Sequence, residues 1–396
     1  MRKTSLYRQP LGNPMPIAEL ITPNQARLLP QSTFQTGFNF MQEKILVNGR
    51  DSNFELLRIV AIASIVICHF CGQSAIAGTS VSANRIISLL LGGGNRIAVN
   101  VFLVLGTWFM VDAKFRPERI LRLYLQVALY SIPITVIMLI VGSAGGARDV
   151  IQGLLPFFGR PLWFATAYIS LIALSPFLNR ILLWEEKLLS RFVFVIGILF
   201  VAVATIPSYT APEYLADFAW FLVVYVTVGW AKKTGAFSWL PGKWMSLALG
   251  MGLCVALSLA QLHPFLAWTA SYWNVHLQSI PNILSAVLIF NFFRLLAQRS
   301  VRWVNWLASS TFSAYIVHQV PAFREYEWSV VFRAADLANF RPVWFTVSVM
   351  AVPIALLLVL AIVDRIYLRP VERMIEKTTA FASAMRFLRW LYPVSA

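Results

Sequence analysis

The chain has 396 residues, of which 58% are hydrophobic and only 13% charged, against about 25% charged in a soluble domain. That balance excludes a soluble enzyme and a disordered chain. Three cysteines, Cys68, Cys71 and Cys254, are too few for a disulfide framework. The net charge of +16 does not indicate a nucleic-acid binder, because its Lys and Arg punctuate apolar runs instead of gathering on one water-exposed domain. What remains is an all-α, polytopic membrane protein.

Residues 1–50 are polar, contain proline and have no apolar run. They read as an irregular cytoplasmic arm, with a short helix around Ile17–Leu29, and they lack the apolar core of a signal peptide. Ten apolar segments follow, near 54–74, 97–112, 120–141, 162–179, 192–207, 216–231, 245–262, 281–297, 303–320 and 342–364. Gly92-Gly93-Gly94 and Gly145-Gly146 mark the stretches 78–96 and 142–161 as loops. With the N-terminus inside, 25 Lys and Arg fall on the inner side and 7 on the outer, Arg58 standing within the first span. This positive-inside bias predicts about ten spans with both termini in the cytoplasm. The expected organisation is an arm over 1–50, a transmembrane domain over 51–365, and a basic amphipathic tail over 366–396 lying on the inner membrane surface.

The first span, Asp51 to Phe70, carries three ionisable groups, Glu55, Arg58 and His69. Such groups inside a membrane are costly and face the protein interior. Arg58 and His69 are 11 residues apart, about 20° short of or beyond full turns, so they share a helix flank about 16 Å apart. Glu55 is placed three residues before Arg58 to pair with it, and the two serve either as an interfacial ion pair or as part of a site. His69, deep in the span, suits a general base. Cys68-His69-Phe70-Cys71 has no second ligand pair to complete a zinc site, so no metal is expected.

These positions resemble the opening of acyltransferase family 3, membrane O-acyltransferases of cell-surface polysaccharides. The family starts its first helix with Asn, an acidic residue, two Leu and Arg, then His after ten residues. Here these are Asn53, Glu55, Leu56, Leu57, Arg58 and His69, with Cys68 where many members have another His. The stretch from Asn100 to Met110 is similar to the second helix, although Gly106-Thr107-Trp108 transposes its small residues. Arg119 and Arg122, with Arg116 overlapping, resemble the Arg-x-x-Arg element that follows it. Leu162 to Asn179 resembles the fourth helix of the branch acylating oligosaccharides and exopolysaccharides. Ser310 to His318 resembles a late-helix motif, with Gln319 where an acidic residue or Asn is usual.

The resemblance implies a cytoplasmic acyl-CoA donor, usually acetyl-CoA, and a hydroxyl acceptor on a cell-envelope or exported polysaccharide, in the inner (plasma) membrane of a bacterium. His69 is then general base or acyl acceptor, with Arg58 and Glu55 beside it in the catalytic set. Arg116, Arg119 and Arg122 are the donor-binding candidates, since guanidinium forks suit phosphates, although positive-inside charge alone also accounts for them. Trp163, Tyr168 and His318 are the acceptor candidates. Trp268, Tyr272, Trp273 and His276 also lie near interfaces, where aromatic belts are common. Membrane lipids and a polysaccharide synthase complex are the other expected partners. A glycan transporter, or a non-catalytic subunit of such a complex, is the competing reading, but a transporter usually shows paired halves.

Overall fold

Asp51 begins the ordered helical run. Its side chain accepts from the backbone N–H of Asn53 at 3.0 Å, capping helix α1, Ser52–Gln73. The computed structural model describes residues 50–74, 82–157, 161–206 and 213–392. The arm over 1–50 and its short helix lie outside these, apart from Arg50. The regular structure of the described residues is helical, without a strand among them.

After α1 come α2 (Ala83–Gly92), α3 (Asn95–Met110), α4 (Glu118–Val141), α5 (Ala147–Leu154), α6 (Trp163–Leu182) and α7 (Glu186–Gly197), which a π-helical turn extends to Thr205. Then follow α8 (Glu213–Thr234), α9 (Lys243–Ala260), α10 (Ala267–Val275), α11 (Ile280–Arg294), α12 (Arg302–Ala308), α13 (Thr311–Val317), α14 (Pro321–Tyr326) and α15 (Ala334–Leu337). The chain closes with α16 (Pro342–Val363), α17 (Arg369–Glu376) and α18 (Thr379–Leu391).

Among the described residues seven helices are long and apolar enough to cross a bilayer, or eight if the pair α10 and α11, bent by 55°, forms one span. The expectation was ten. One difference lies at 303–320, which is two seven-residue helices, α12 and α13, broken at Ser309–Ser310. Another lies at 78–96. The three glycines there do not make a loop: α2 and α3 together form one 28-residue candidate span, Ala83–Met110. Arg96, at the end of that stretch, therefore stands within a candidate span. α16 passes through a π-helical turn at Asp364–Leu368 into α17, making a 35-residue run.

α1 is the central element, packed against α2, α3, α12 and α16. Its first turn is tied down by hydrogen bonds. Ser52 Oγ donates to Asn305 at 2.8 Å and accepts from the Val301 N–H, and Asn53 donates to the Ala297 carbonyl. α8 runs through the core with Trp220, Phe221 and Tyr225 fully buried, against α3 and α6. A buried carboxylate, Asp364, accepts from the hydroxyls of Tyr130 on α4 and Ser313 on α13, and so holds the short α13 between two long helices.

Candidate active site

Because α1 is unbroken from Ser52 to Gln73, Arg58 and His69 do share a flank with about 16 Å of rise between them. They belong to different neighbourhoods. At the Arg58 end, Arg58 Nη1 donates to both carboxylate oxygens of Glu55 at 2.8 and 3.0 Å. Phe54 meets Phe109 at the end of α3, edge to face at 5.1 Å. Lys232 pairs with Asp112, donates to the Trp108 carbonyl and lies 4.3 Å from the Trp108 ring. A cleft of about 450 Å³ opens here, lined by Asp112, Asn179, Arg180, Lys232 and Lys233 among apolar groups. Nothing in the sequence reading had gathered these basic residues into one place.

The loop that leaves α3 beside Phe109 carries Arg116 into the start of α4, where Arg119 and Arg122 follow. All three are exposed. Arg122 pairs with Glu376 of α17 at 2.8 Å, and Arg389 of α18 reaches Glu118. Tyr392 lies between the rings of Phe115 and Phe177. The tail helices thus dock on the element that carries the arginines, with Phe387, Trp390 and Leu391 left exposed.

At the other end, His69 faces α13 and the turn after it. Its ring centroid is 5.2 Å from that of His318, and the Gln319 carboxamide nitrogen is 2.9 Å from His69 Nε2. An amide nitrogen only donates, so Nε2 is the accepting nitrogen of His69. His318 is fully buried. Its Nδ1 lies 2.6 Å from the Ala314 carbonyl, which only accepts, so the proton sits on Nδ1 and the lone pair on Nε2. That Nε2 has no hydrogen-bond partner. A buried polar atom without a partner is uncommon and calls for an explanation.

Aromatic contacts lead from the histidine pair to the acceptor candidates. Tyr315 is 5.9 Å from His318 and 5.3 Å from Phe164, and Phe164 stacks on Tyr168 at 5.8 Å. Tyr168 rests on Gly106, where a Cβ would come within 2.9 Å of its hydroxyl. Gly106 is therefore the residue in Gly106-Thr107-Trp108 that lets α6 approach α3. Trp163 packs on Phe164 and lies 5.9 Å from the Arg96 guanidinium.

The structure thus brings His69 and His318 together, carries the aromatic run through Phe164 to Tyr168 and Gly106 toward the Arg58 end, and leaves Arg58, Glu55, Arg116, Arg119 and Arg122 at that end. The remaining aromatic candidates are occupied elsewhere. Tyr272 and Trp273 donate to the carbonyls of Ala204 and Thr205, and His276 stacks on Tyr272 at 4.0 Å. They join α10 to the end of α7. Sequence reasoning missed Gln319 as a contact of His69. Among the described residues no cluster of three or more His, Cys, Asp or Glu forms a metal-binding group.

Residues 51–362 match the acyltransferase domain of acyltransferase family 3, and the chain belongs to that family. It is a multi-pass membrane acyltransferase. No curated protein and no solved structure matches the chain.

Proposed function

We propose that the enzyme transfers an acetyl group from acetyl-CoA to a hydroxyl of a cell-envelope or exported polysaccharide, in the inner membrane of a bacterium, with both termini in the cytoplasm. The observation that carries this reading is His69 Nε2 beside Gln319 and His318, at the head of an aromatic run through Tyr315, Phe164, Tyr168 and Trp163. The Gln319 amide occupies the place that an acceptor hydroxyl takes when it displaces it. His69 Nε2 then accepts the hydroxyl proton, and the oxygen attacks the thioester carbonyl. The C–S bond breaks, and the thiolate leaves and takes up a proton. Sugar faces stack on the aromatic walls.

The donor's nucleotide is assigned to the Arg58 end, where Arg116, Arg119 and Arg122 stand and where the cleft holds Arg180, Lys232 and Lys233. Arg58, fixed by Glu55, stands between that end and the histidines. A relay through His318 is a second reading, favoured by its unpartnered Nε2: the acyl group would pass to that nitrogen and then to the acceptor.

The test is purified full-length protein with acetyl-CoA and an oligosaccharide, following free thiol and the mass of the glycan. His69→Ala should abolish both signals while remaining in the membrane fraction. Undiminished acylation overturns the assignment. Acid quenching followed by peptide mass analysis separates the two routes, since only the relay leaves an acetyl group on His318.

A further inference from the structure

Two buried polar atoms one turn apart at α13 lack a partner: the hydroxyl of Tyr315 and Nε2 of His318. The direct route of transfer described above uses neither. Tyr315 is 8% exposed and His318 not at all, and their rings meet edge to face at 5.9 Å. His318 Nε2 carries a lone pair, because the proton sits on Nδ1 against the Ala314 carbonyl. A hydroxyl can donate to such a lone pair, yet these two do not bond each other. The site thus holds a donor and an acceptor side by side, both unused.

The direction of α13 decides which of the two meets an incoming thioester first. Ser52, in the first turn of α1, bonds Asn305 of α12 at 2.8 Å, and His69, near the other end of α1, is 2.9 Å from Gln319 just past α13. α12 and α13 together therefore advance in the same direction as α1, from the Arg58 end towards the histidines. Tyr315, three residues before His318, lies about 4.5 Å nearer the end assigned to acetyl-CoA. Its ring packs edge to face on Phe164 at 5.3 Å, in the first turn of α6, and Phe164 stacks on Tyr168. The N–H groups of Trp163, Phe164 and Ala165 have no acceptor within α6, and Leu162 supplies no side-chain cap. Those of Phe164 and Ala165 come near the phenol oxygen without completing a bond. They can only donate, so the phenol's own proton is uncommitted, and the positive end of α6 polarises it.

We infer that Tyr315 is a catalytic residue: its hydroxyl donates to the thioester oxygen as that oxygen becomes an oxyanion. The acceptor hydroxyl gives its proton to His69 Nε2 and attacks the carbonyl carbon, and the C=O π pair moves onto oxygen. The Tyr315 O–H donates a hydrogen bond to this oxygen and keeps its proton. As the C=O bond re-forms, the C–S bond breaks, and the thiolate leaves with the bonding pair and takes the proton from His69. Tyr315 ends unchanged, and the same donor serves the first step of a relay through His318. A fixed donor in a water-excluded site acts most strongly on charge that develops in the transition state. Leaving that donor unbonded in the resting protein costs stability and reserves its bond for the oxyanion. The inference rests on the acetyl-transfer reading above and adds the group that stabilises its transition state.

Tyr315→Phe removes the hydroxyl and keeps the ring, so the packing on Phe164 and His318 survives. Purified full-length wild type and Tyr315→Phe are compared with acetyl-CoA and an oligosaccharide, following free thiol, glycan mass and the melting temperature in detergent. The variant's kcat should fall about 10²–10³-fold, with the KM of both substrates little changed. Its melting temperature should stay level or rise, because an unsatisfied buried hydroxyl has gone. A kcat close to that of wild type overturns the inference. So does a loss confined to the KM of the oligosaccharide, which makes Tyr315 a sugar contact. A lower melting temperature overturns it too, since the hydroxyl then serves a structural bond. So does an acetyl group found on Tyr315 after acid quenching, since the phenol then acts as a nucleophile. Each of these outcomes leaves acetyl transfer standing. Absence of transfer by wild type overturns the acetyl-transfer reading itself, and the inference with it.

Discussion

The two ends of α1 are built on opposite principles. At the Arg58 end charges find partners within the chain: Arg58 with Glu55, Lys232 with Asp112, Arg122 with Glu376, Arg389 with Glu118. Around His69 bonding capacity is left over: the buried Nε2 of His318 has no partner. A paired charge in a half-buried setting holds elements in register, whereas an unpartnered polar atom waits for something that arrives with a substrate. The first end fixes the helix, and the second keeps its bonding capacity in reserve.

The strongest way to break this contrast is His69→Ala. Loss of a general base should reduce kcat by about 10²–10⁴-fold with thermal stability in detergent nearly unchanged, read by thiol release and a melting curve side by side. The reciprocal change, Arg58→Ala, leaves the buried Glu55 carboxylate, 7% exposed, without its partner. It should cost about 1–3 kcal/mol of stability, seen as a lower melting temperature, and Arg58→Ala with Glu55→Gln should recover much of it. If Arg58→Ala melts like wild type, the pair is not holding the helix. Gly106→Ala forces Tyr168 to move and should cost about 1–2 kcal/mol, accompanied by a raised acceptor KM in a titration of the glycan.

A smaller effect concerns Glu327, outside the candidate spans, next to Trp328, whose ring packs on Phe70. Burial pushes its carboxyl up from 4.5 to about 8. The folded protein therefore holds this proton between those values while the unfolded chain has lost it. Stability should fall as pH rises from about 4.5 to about 8 and then level off. Glu327→Gln should remove that component, so its advantage over wild type grows across this window. A pH series of melting temperatures in which the two proteins run parallel would contradict the burial argument.

Much of this was readable from the residues. α1 was legible because an apolar run interrupted by Glu55, Arg58 and His69 has few explanations other than a span with a purpose. The fourth-helix stretch was legible as a run of aromatics, and Trp163 and Tyr168 both pack on Phe164. Arg96 was not, because Gly92-Gly93-Gly94 weakens helix propensity locally and only the packing of Gly92 on Cys71 shows why the turn continues. Gln319 was noted only as a departure from the family pattern; its partner lies 250 residues away, a distance that no local periodicity bridges. The seam at Ser309–Ser310 was hidden inside an apolar stretch whose composition looks continuous. Tyr272 and Trp273 have the composition of an interfacial belt, and only their bonds to Ala204 and Thr205 show that they are fasteners.

One detail of α13 reaches further than its seven residues suggest. His318 is aimed by a carbonyl one turn back in its own helix, not by a carboxylate borrowed from another part of the protein. Its orientation is thus encoded within five consecutive positions and travels with them. The walls around it can be rebuilt for sugars of other shapes without disturbing the direction in which the ring points.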